Sequence, residues 1–285
     1  MKKINEIIKK RTERSYKGNN FDFGYEELGR ILSNVNEDGV ITLFGYPAMG
    51  KTTFMLNLIS NLFNRNDVSV LYITTDGRED FIIDTLLSVE SMVPIRNIIK
   101  ERINETEVEQ YNNALNKVKK CDLYLEEHLN LSSNSMIEIT KSLKEFFSLK
   151  SGKKIVVFDQ YSNNPEVVEM IRKYTVEYNA MLFILAPALI TSNKFKNNEL
   201  DLADLDPYLN VISDCVISIF KPSYFNTRMI DNSVYFNILK CPKIIEGEVE
   251  FSFDFHTLKY YEEQLIYDLP SEFEMDSLNF DKLPF

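Results

Sequence analysis

The sequence has few of the residues that build metal sites and disulfide frameworks. Its 285 residues include only three cysteines, Cys121, Cys215 and Cys241, and two histidines, His128 and His256. The cysteines are odd in number, and no pair has the spacing of metal ligands. We therefore expect free thiols and structural histidines, which excludes a disulfide-stapled fold and a zinc site.

Long apolar runs are also missing. No stretch is long enough to cross a bilayer, and the opening residues MKKINEIIKK mix charged and apolar side chains without a cleavage-site pattern. We therefore expect a cytoplasmic protein with no membrane partner. The net charge of −11 argues against a chain that coats nucleic acid nonspecifically, although an acidic protein can still hold DNA in a local basic channel.

What is present is the pattern of an α/β protein. From Val40 onward, short β-branched or aromatic runs alternate with helical patterns, as in parallel α/β folds. The last three predicted strands have no helices between them, so we expect the sheet to end in an antiparallel portion. The predicted strands cover 40–44, 68–74, 122–126, 154–159, 180–186, 215–220, 234–239 and 248–253.

Three regions are predicted along the chain. Residues 1–20 indicate a basic amphipathic helix and a polar linker, and residues 21–260 one α/β domain. Residues 261–285 are acidic and poor in periodicity, which is typical of a flexible tail.

The strongest motif is a phosphate-binding loop. Residues 45–52, GYPAMGKT, fit the pattern GxxxxGK[ST], follow an apolar strand and open a helix. Glycines let backbone N–H groups turn toward phosphates, and a helix N-terminus favours negative charge. We predict that Lys51 contacts the β- and γ-phosphates of ATP and that Thr52 binds Mg²⁺; the other interpretation is a glycine-rich turn without a nucleotide. The predicted nucleotide contacts are Gly45, Pro47, Ala48, Met49, Gly50, Lys51, Thr52 and Thr53.

A carboxylate for the metal follows a second buried strand. Asp159 closes the run KIVVFD, where such loops place an acidic magnesium ligand. A lone aspartate at a strand end is otherwise a turn or capping residue. Together with the phosphate-binding loop, Asp159 is predicted to bind Mg²⁺.

Several segments in the same order resemble the motor domain of DnaB-type replicative helicases. They include FDFGYEELGRIL, GVITLFGYPAMGKTTFMLNLI, VLYITTDGREDFIIDTLLSV, KIVVFDQY and FNILKCPKIIEGEVEFSFD, which together span roughly 21–260. The resemblance implies a RecA-like P-loop NTPase core, with a mostly parallel sheet flanked by helices and an antiparallel C-terminal portion. It also implies ATP and Mg²⁺ as cofactors, self-association into a ring such as a hexamer, and action on single-stranded DNA.

The resemblance assigns further roles and shows departures. Asp76 matches a family glutamate that polarises the attacking water, and its shorter side chain predicts slow hydrolysis. Lys240 matches a lysine that reaches the neighbouring subunit's nucleotide, but Pro242 replaces the arginine of that pair. Pro187 replaces a glutamine that senses the γ-phosphate. The catalytic residues implied are Asp76, Lys51 and Lys240.

Two segments suggest partners. The stretch after Asp159 is shorter than in the family, which usually places a DNA-contacting loop there, so Lys194 and Lys196 are the candidates for DNA phosphate contacts. A solvated loop explains the same residues. The chain ends in FDKLPF, and this ending at Phe285 resembles the acidic C-terminal tip of bacterial single-stranded DNA-binding proteins. The resemblance suggests that the tail docks to replication proteins. A merely solubilising tail is the alternative.

Two functions remain open from the sequence. The first is an ATP-driven DnaB-like motor that acts on single-stranded DNA in the replication of a mobile element or divergent replicon. The alternative is a nucleotide-binding regulatory or assembly protein in replication that has lost rapid hydrolysis, an interpretation favoured by Asp76, Pro187 and Pro242.

Overall fold

The fold was analysed in a computed structural model. It describes residues 18–65, 67–75, 79–129, 131–149, 152–161, 164–189, 200–225, 231–244 and 247–263. Within these ranges, no helix combines the length and the apolar character that a bilayer crossing needs.

The described strands form one sheet in the order β3-β2-β4-β5-β1-β6-β7-β8-β9. Strands β3 to β6 of that order are parallel, and β6, β7, β8 and β9 are joined by antiparallel pairing. This confirms the predicted mostly parallel sheet with an antiparallel C-terminal portion. The strands are β1 Val40–Gly45, β2 Val68–Thr74, β3 Leu123–Glu127, β4 Lys153–Asp159, β5 Met181–Pro187, β6 Cys215–Phe220, β7 Ser233–Lys240, β8 Gly247–Asp254 and β9 Lys259–Glu262.

Helices join the parallel strands and flank the sheet. Helix α2 packs on β1, β2 and β9, while α7 packs on β5 and against α6. The helices are α1 Glu26–Leu32, α2 Lys51–Arg65, α3 Glu79–Ser91, α4 Ile95–Ile99, α5 Glu105–Val118, α6 Ser133–Ser148, α7 Pro165–Glu177, α8 Pro207–Ile212 and α9 Pro222–Phe225, with a 3₁₀ turn at Leu202–Asp204.

Burial explains why the central strands are apolar throughout. Every residue of β1 and β2 is buried, as expected for parallel strands covered on both faces. Strand β7 alternates instead, because Val234, Phe236 and Ile238 are buried while their neighbours are partly exposed. On the buried face, the ring of Phe54 from α2 lies 4.1 Å from that of Phe236 and 5.2 Å from that of Tyr260, measured between centroids. These contacts fix the helix that follows the phosphate-binding loop onto the antiparallel strands.

Strand β9 was not predicted from the sequence. It pairs with β8 and crosses the predicted boundary between 260 and 261, so the folded unit extends at least to Glu262. The Glu262 carboxylate accepts hydrogen bonds from the backbone N–H groups of Glu26 (2.5 Å), Glu27 (3.1 Å) and Leu28 (2.8 Å). Helix α1 receives no side-chain cap from Tyr25, and Glu262 supplies the missing acceptor. The predicted helix over 1–17 and the residues 264–285 lie outside the described part of the chain.

Candidate functional site

The phosphate-binding loop leaves the middle of the sheet at its carboxyl edge. Strand β1 ends at Gly45 between β5 and β6, and α2 begins at Lys51. A Cβ at Gly45 would lie only 3.1 Å from the carbonyl oxygen of Ile219, so the neighbouring strand leaves little room for a side chain. Open α/β sheets bind ligands at the carboxyl ends of their strands. The loop therefore lies where the fold favours a ligand.

The backbone of the loop turns sharply through two residues with positive φ. Ala48 has φ 61° and Gly50 has φ 94°, a region that favours glycine. Pro47 and Ala48 are exposed, whereas Met49 is buried beneath them. Residues of alternating backbone handedness direct their N–H groups into a concavity that attracts anions, and the N-terminus of α2 adds its positive dipole end. The loop has the chemistry of a phosphate site.

The Lys51 side chain folds back onto the start of this loop. Its Nζ donates hydrogen bonds to the carbonyl oxygens of Gly45 and Tyr46, each at 2.9 Å. Burial lowers the pKa of Lys51 to about 8, an effect only partly opposed by the negative charge of Asp159. A partly desolvated ammonium with weak neutral partners is suited to exchange them for a phosphate.

Thr52 and Asp159, the two predicted magnesium ligands, are hydrogen-bonded to each other, and Tyr72 lies beside them. The Thr52 hydroxyl donates to Asp159 Oδ2 at 2.8 Å, and the Tyr72 hydroxyl donates to the same oxygen at 2.6 Å. Asp159 is only 3% exposed; burial raises its pKa, while the bonds from Tyr72 and Thr52 and the charge of Lys51 act in the opposite direction. A hydroxyl and a carboxylate oxygen are the ligand types that Mg²⁺ prefers. The donor set fits a magnesium ion next to the phosphate-binding loop.

Two residues at this edge are not among those predicted from the sequence. Tyr72 interrupts an otherwise aliphatic buried strand. The sequence signal for it is the hydroxyl group, because a buried phenol usually has a hydrogen-bond partner. Gln160 has φ 67° directly after Asp159, and its carbonyl oxygen accepts a 3.2 Å hydrogen bond from the Thr75 hydroxyl. Non-glycine residues with positive φ are often found at functional sites, but their sequence carries no clear signal.

The remaining predicted residues lie in different places. Thr53 is buried, and its carbonyl oxygen accepts a 2.9 Å hydrogen bond from the Asn57 side chain. Pro187 is exposed at the end of β5 and is the strand partner of Gly45, so it stands beside the loop without a donor group. Asp76, Lys194, Lys196 and Phe285 lie outside the described residues.

Lys240 does not join the phosphate-binding loop of its own chain. It pairs with Val216 near the start of β6, whereas the loop follows the end of β1 at the opposite edge of the sheet. Its Nζ donates a 2.8 Å hydrogen bond to the carbonyl oxygen of Asn210 in α8. Any role of Lys240 at a nucleotide would have to involve a different chain.

Comparison with known proteins identifies the family. The sequence model of the DnaB-like helicase C terminal domain matches residues 21–163, which include the phosphate-binding loop and Asp159. A probable replicative DNA helicase from Guillardia theta is 25% identical over 124 residues, covering 44% of this chain and 21% of that protein. The chain spans 15% to 48% of the length of the first three related proteins.

Solved structures support the same assignment at the level of the fold. One solved ATPase domain has a TM-score of 0.74 at 15% identity, covering 92% of this chain and 97% of that one. A DnaB-like replicative helicase, described together with its interactions with primase, has a TM-score of 0.74 at 17% identity and covers 93% of this chain and 68% of that one. The RecA-like fold is thereby confirmed, and with the matched family model it shows that this chain belongs to the DnaB-like helicase C-terminal domain family.

Proposed function

We propose that this chain binds ATP and Mg²⁺ at loop 45–52 and acts as a DnaB-like motor on single-stranded DNA in replication. One observation supports this most strongly: the Thr52 hydroxyl and the Asp159 carboxylate lie 2.8 Å apart at the first turn of α2. They are the two protein ligands that P-loop NTPases use for the metal. A glycine-rich turn without a ligand has no need for this pair.

Each residue has a distinct task in this proposal. Backbone N–H groups of the loop bind the phosphates, Lys51 contacts the β- and γ-phosphates, and Thr52 and Asp159 hold Mg²⁺. Bound ATP supplies a phosphoanhydride bond whose hydrolysis can drive movement. Asp76 would orient the water, and Lys240 would act on the nucleotide of the neighbouring subunit in a ring such as a hexamer. The position of Lys240 at the sheet edge opposite its own loop supports the latter role.

The partners are inferred from the related proteins and from charge. The relatives are named replicative DNA helicases, and one structural neighbour is described with primase. With a net charge of −11, DNA has to be held by a local group of cations, for which Lys194 and Lys196 are the candidates. The helix and linker over 1–20 and a docking tail that ends in Phe285 complete the proposal. Abundant Lys, Asn and Ile suggest a mobile element or divergent replicon as the source.

Pro187 favours a second candidate function. Pro187 is the strand partner of Gly45 and has no hydrogen-bonding side chain, and the sequence resemblance matches it to the glutamine that senses the γ-phosphate in the family. A chain that binds nucleotide but hydrolyses it slowly would serve as a regulatory or assembly protein in replication.

ATP turnover with and without single-stranded DNA separates the two candidates. The motor predicts turnover that rises with DNA and falls to background in Lys51→Ala. Background turnover in the wild type, in spite of nucleotide binding, would eliminate the motor and leave the regulatory protein. The native mass with and without ATP tests the ring independently, and an unchanged monomer in both would contradict it.

A further inference from the structure

Tyr72 is a buried phenol in the middle of β2. It is 0% exposed, and its strand neighbours Leu71 and Ile73 are apolar and buried. The Tyr72 ring fills core volume, but its hydroxyl lies 2.6 Å from Asp159 Oδ2, on the neighbouring strand β4. The ring packs as a phenylalanine would, so only the hydroxyl distinguishes this residue from a simple core aromatic.

Burial of the Tyr72 hydroxyl costs free energy, which its hydrogen bond to Asp159 must offset. Burying a hydroxyl without a hydrogen bond is unfavourable, whereas a short bond to a carboxylate is among the stronger hydrogen bonds in proteins. A phenol is protonated at neutral pH, so the Tyr72 hydroxyl is a hydrogen-bond donor to the carboxylate. Its bond to Asp159 constrains the direction in which the carboxylate points.

Thr52 donates to the same oxygen, but the two donors differ in what else they can do. Thr52 lies in the first turn of α2 and is a proposed metal ligand, a role in which its hydroxyl oxygen faces the cation. Tyr72 lies inside the sheet and is completely buried, so its bond to Asp159 does not compete with that role. Tyr72 is therefore the donor that can orient Asp159 both with and without a bound metal ion.

We propose that Tyr72 is a positioning residue that orients the Asp159 carboxylate for Mg²⁺. This inference rests on the proposed function, since it assigns Tyr72 a role at the same site. Groups that orient metal ligands from outside typically contribute about 10–100-fold to metal affinity. Tyr72 touches neither the nucleotide nor the metal in this role and acts through Asp159.

The test is the magnesium dependence of nucleotide binding in Tyr72→Phe, which keeps the ring and removes the hydroxyl. A fluorescent ADP analogue is titrated into the full chain in EDTA and at increasing free Mg²⁺. We expect unchanged affinity in EDTA and a rise of about 10-fold or more in the Mg²⁺ concentration at half-maximal enhancement. Tyr208→Phe is the matched control, because the Tyr208 hydroxyl also donates to a carboxylate, Glu169 Oε2, at 2.9 Å. It should behave as the wild type.

Asp159→Asn separates positioning from folding. If Tyr72 acts through Asp159, adding Tyr72→Phe to Asp159→Asn should not further change the magnesium dependence. A merely structural role would instead lower the melting temperature and the affinity in EDTA, and would do so in both backgrounds. That pattern, or failure of Tyr72→Phe to fold while Tyr208→Phe folds, would overturn the proposal.

The proposed function and the role of Tyr72 can fail separately. A wild-type chain that binds no nucleotide at any Mg²⁺ concentration overturns the proposed function and the role of Tyr72 together. Normal magnesium-enhanced binding in the wild type, with the same curve for Tyr72→Phe, overturns only the role of Tyr72.

Discussion

Gly50 offers the sharpest test of the loop geometry, because two separate features exclude a side chain there. Its φ of 94° is unfavourable for any residue with a Cβ, and that Cβ would lie 2.4 Å from the hydroxyl oxygen of Tyr260. Tyr260 is 2% exposed and packed against Phe54 and Phe251, so its ring has little freedom to move aside. We expect Gly50→Ala to destabilise the protein and to distort the proposed nucleotide site.

The magnitude divides into a backbone part and a steric part. A non-glycine residue in the left-handed region costs about 1–2 kcal/mol, and an overpacked core costs about 1–3 kcal/mol. The sum, about 2–5 kcal/mol, is a large part of the roughly 5–15 kcal/mol that stabilises a typical domain. Gly29→Ala is the control, because a Cβ at Gly29 in α1 would meet nothing within 4 Å.

Urea unfolding of Gly50→Ala, Tyr260→Phe and the double variant separates the two parts. Without the hydroxyl, the nearest ring atom of residue 260 is the Cζ carbon at 3.7 Å, an ordinary contact. The double variant should therefore recover about 1–3 kcal/mol relative to the sum of the single changes, while the backbone cost remains. If the two single changes in the free energy of unfolding add up to that of the double variant, the proposed clash between a Cβ at residue 50 and the Tyr260 hydroxyl is refuted. A Gly50→Ala variant as stable as the wild type would refute it as well.

Two further predictions concern charged groups. The pKa of Lys51 is lowered from 10.5 to about 8, so the unfolded state binds more protons between these values and stability rises with pH across that window. Without nucleotide, the stability of the wild type relative to Lys51→Met should therefore rise by on the order of 3 kcal/mol between pH 7 and pH 10.5 in urea unfolding. A stability difference between the two proteins that does not change with pH would contradict the desolvation of Lys51. Glu262→Gln removes the negative charge at the N-terminus of α1 and should lower stability by about 1 kcal/mol in thermal unfolding, compared with the exposed Glu263→Gln. Equal melting temperatures for these two variants would rule out the capping role.

The central strands could be predicted because parallel strands buried on both faces are continuous apolar runs. Each of the eight predicted strands is present, with bounds within one residue or so of the prediction. Strand β9 is different: its sequence KYYE is short and polar at both ends, and only the pairing with β8 and the burial of Tyr260 make it a strand. Helix α5 has a local signal at its start, because Asn104 and Glu107 form a capping box there.

The site also has features that the sequence predicts and features that only the structure shows. A local motif identifies the loop, and the strand-end position identifies Asp159, because both depend on short-range sequence. The bond from Tyr72 to Asp159 joins residues far apart in the chain, and the burial of Lys51 depends on packing around the loop. Such features arise from tertiary structure, so sequence patterns do not predict them. The predicted roles of Asp76 and Lys240 stay predictions.

Binding calorimetry with ATP and ADP at millimolar magnesium tests the central claim most directly. If loop 45–52 binds phosphates and Thr52 and Asp159 hold Mg²⁺, both nucleotides should bind with measurable heat, more tightly with magnesium than in EDTA, and Lys51→Ala should abolish most of the signal. The absence of binding heat from either nucleotide in the wild-type protein, checked at two temperatures, would contradict the claim.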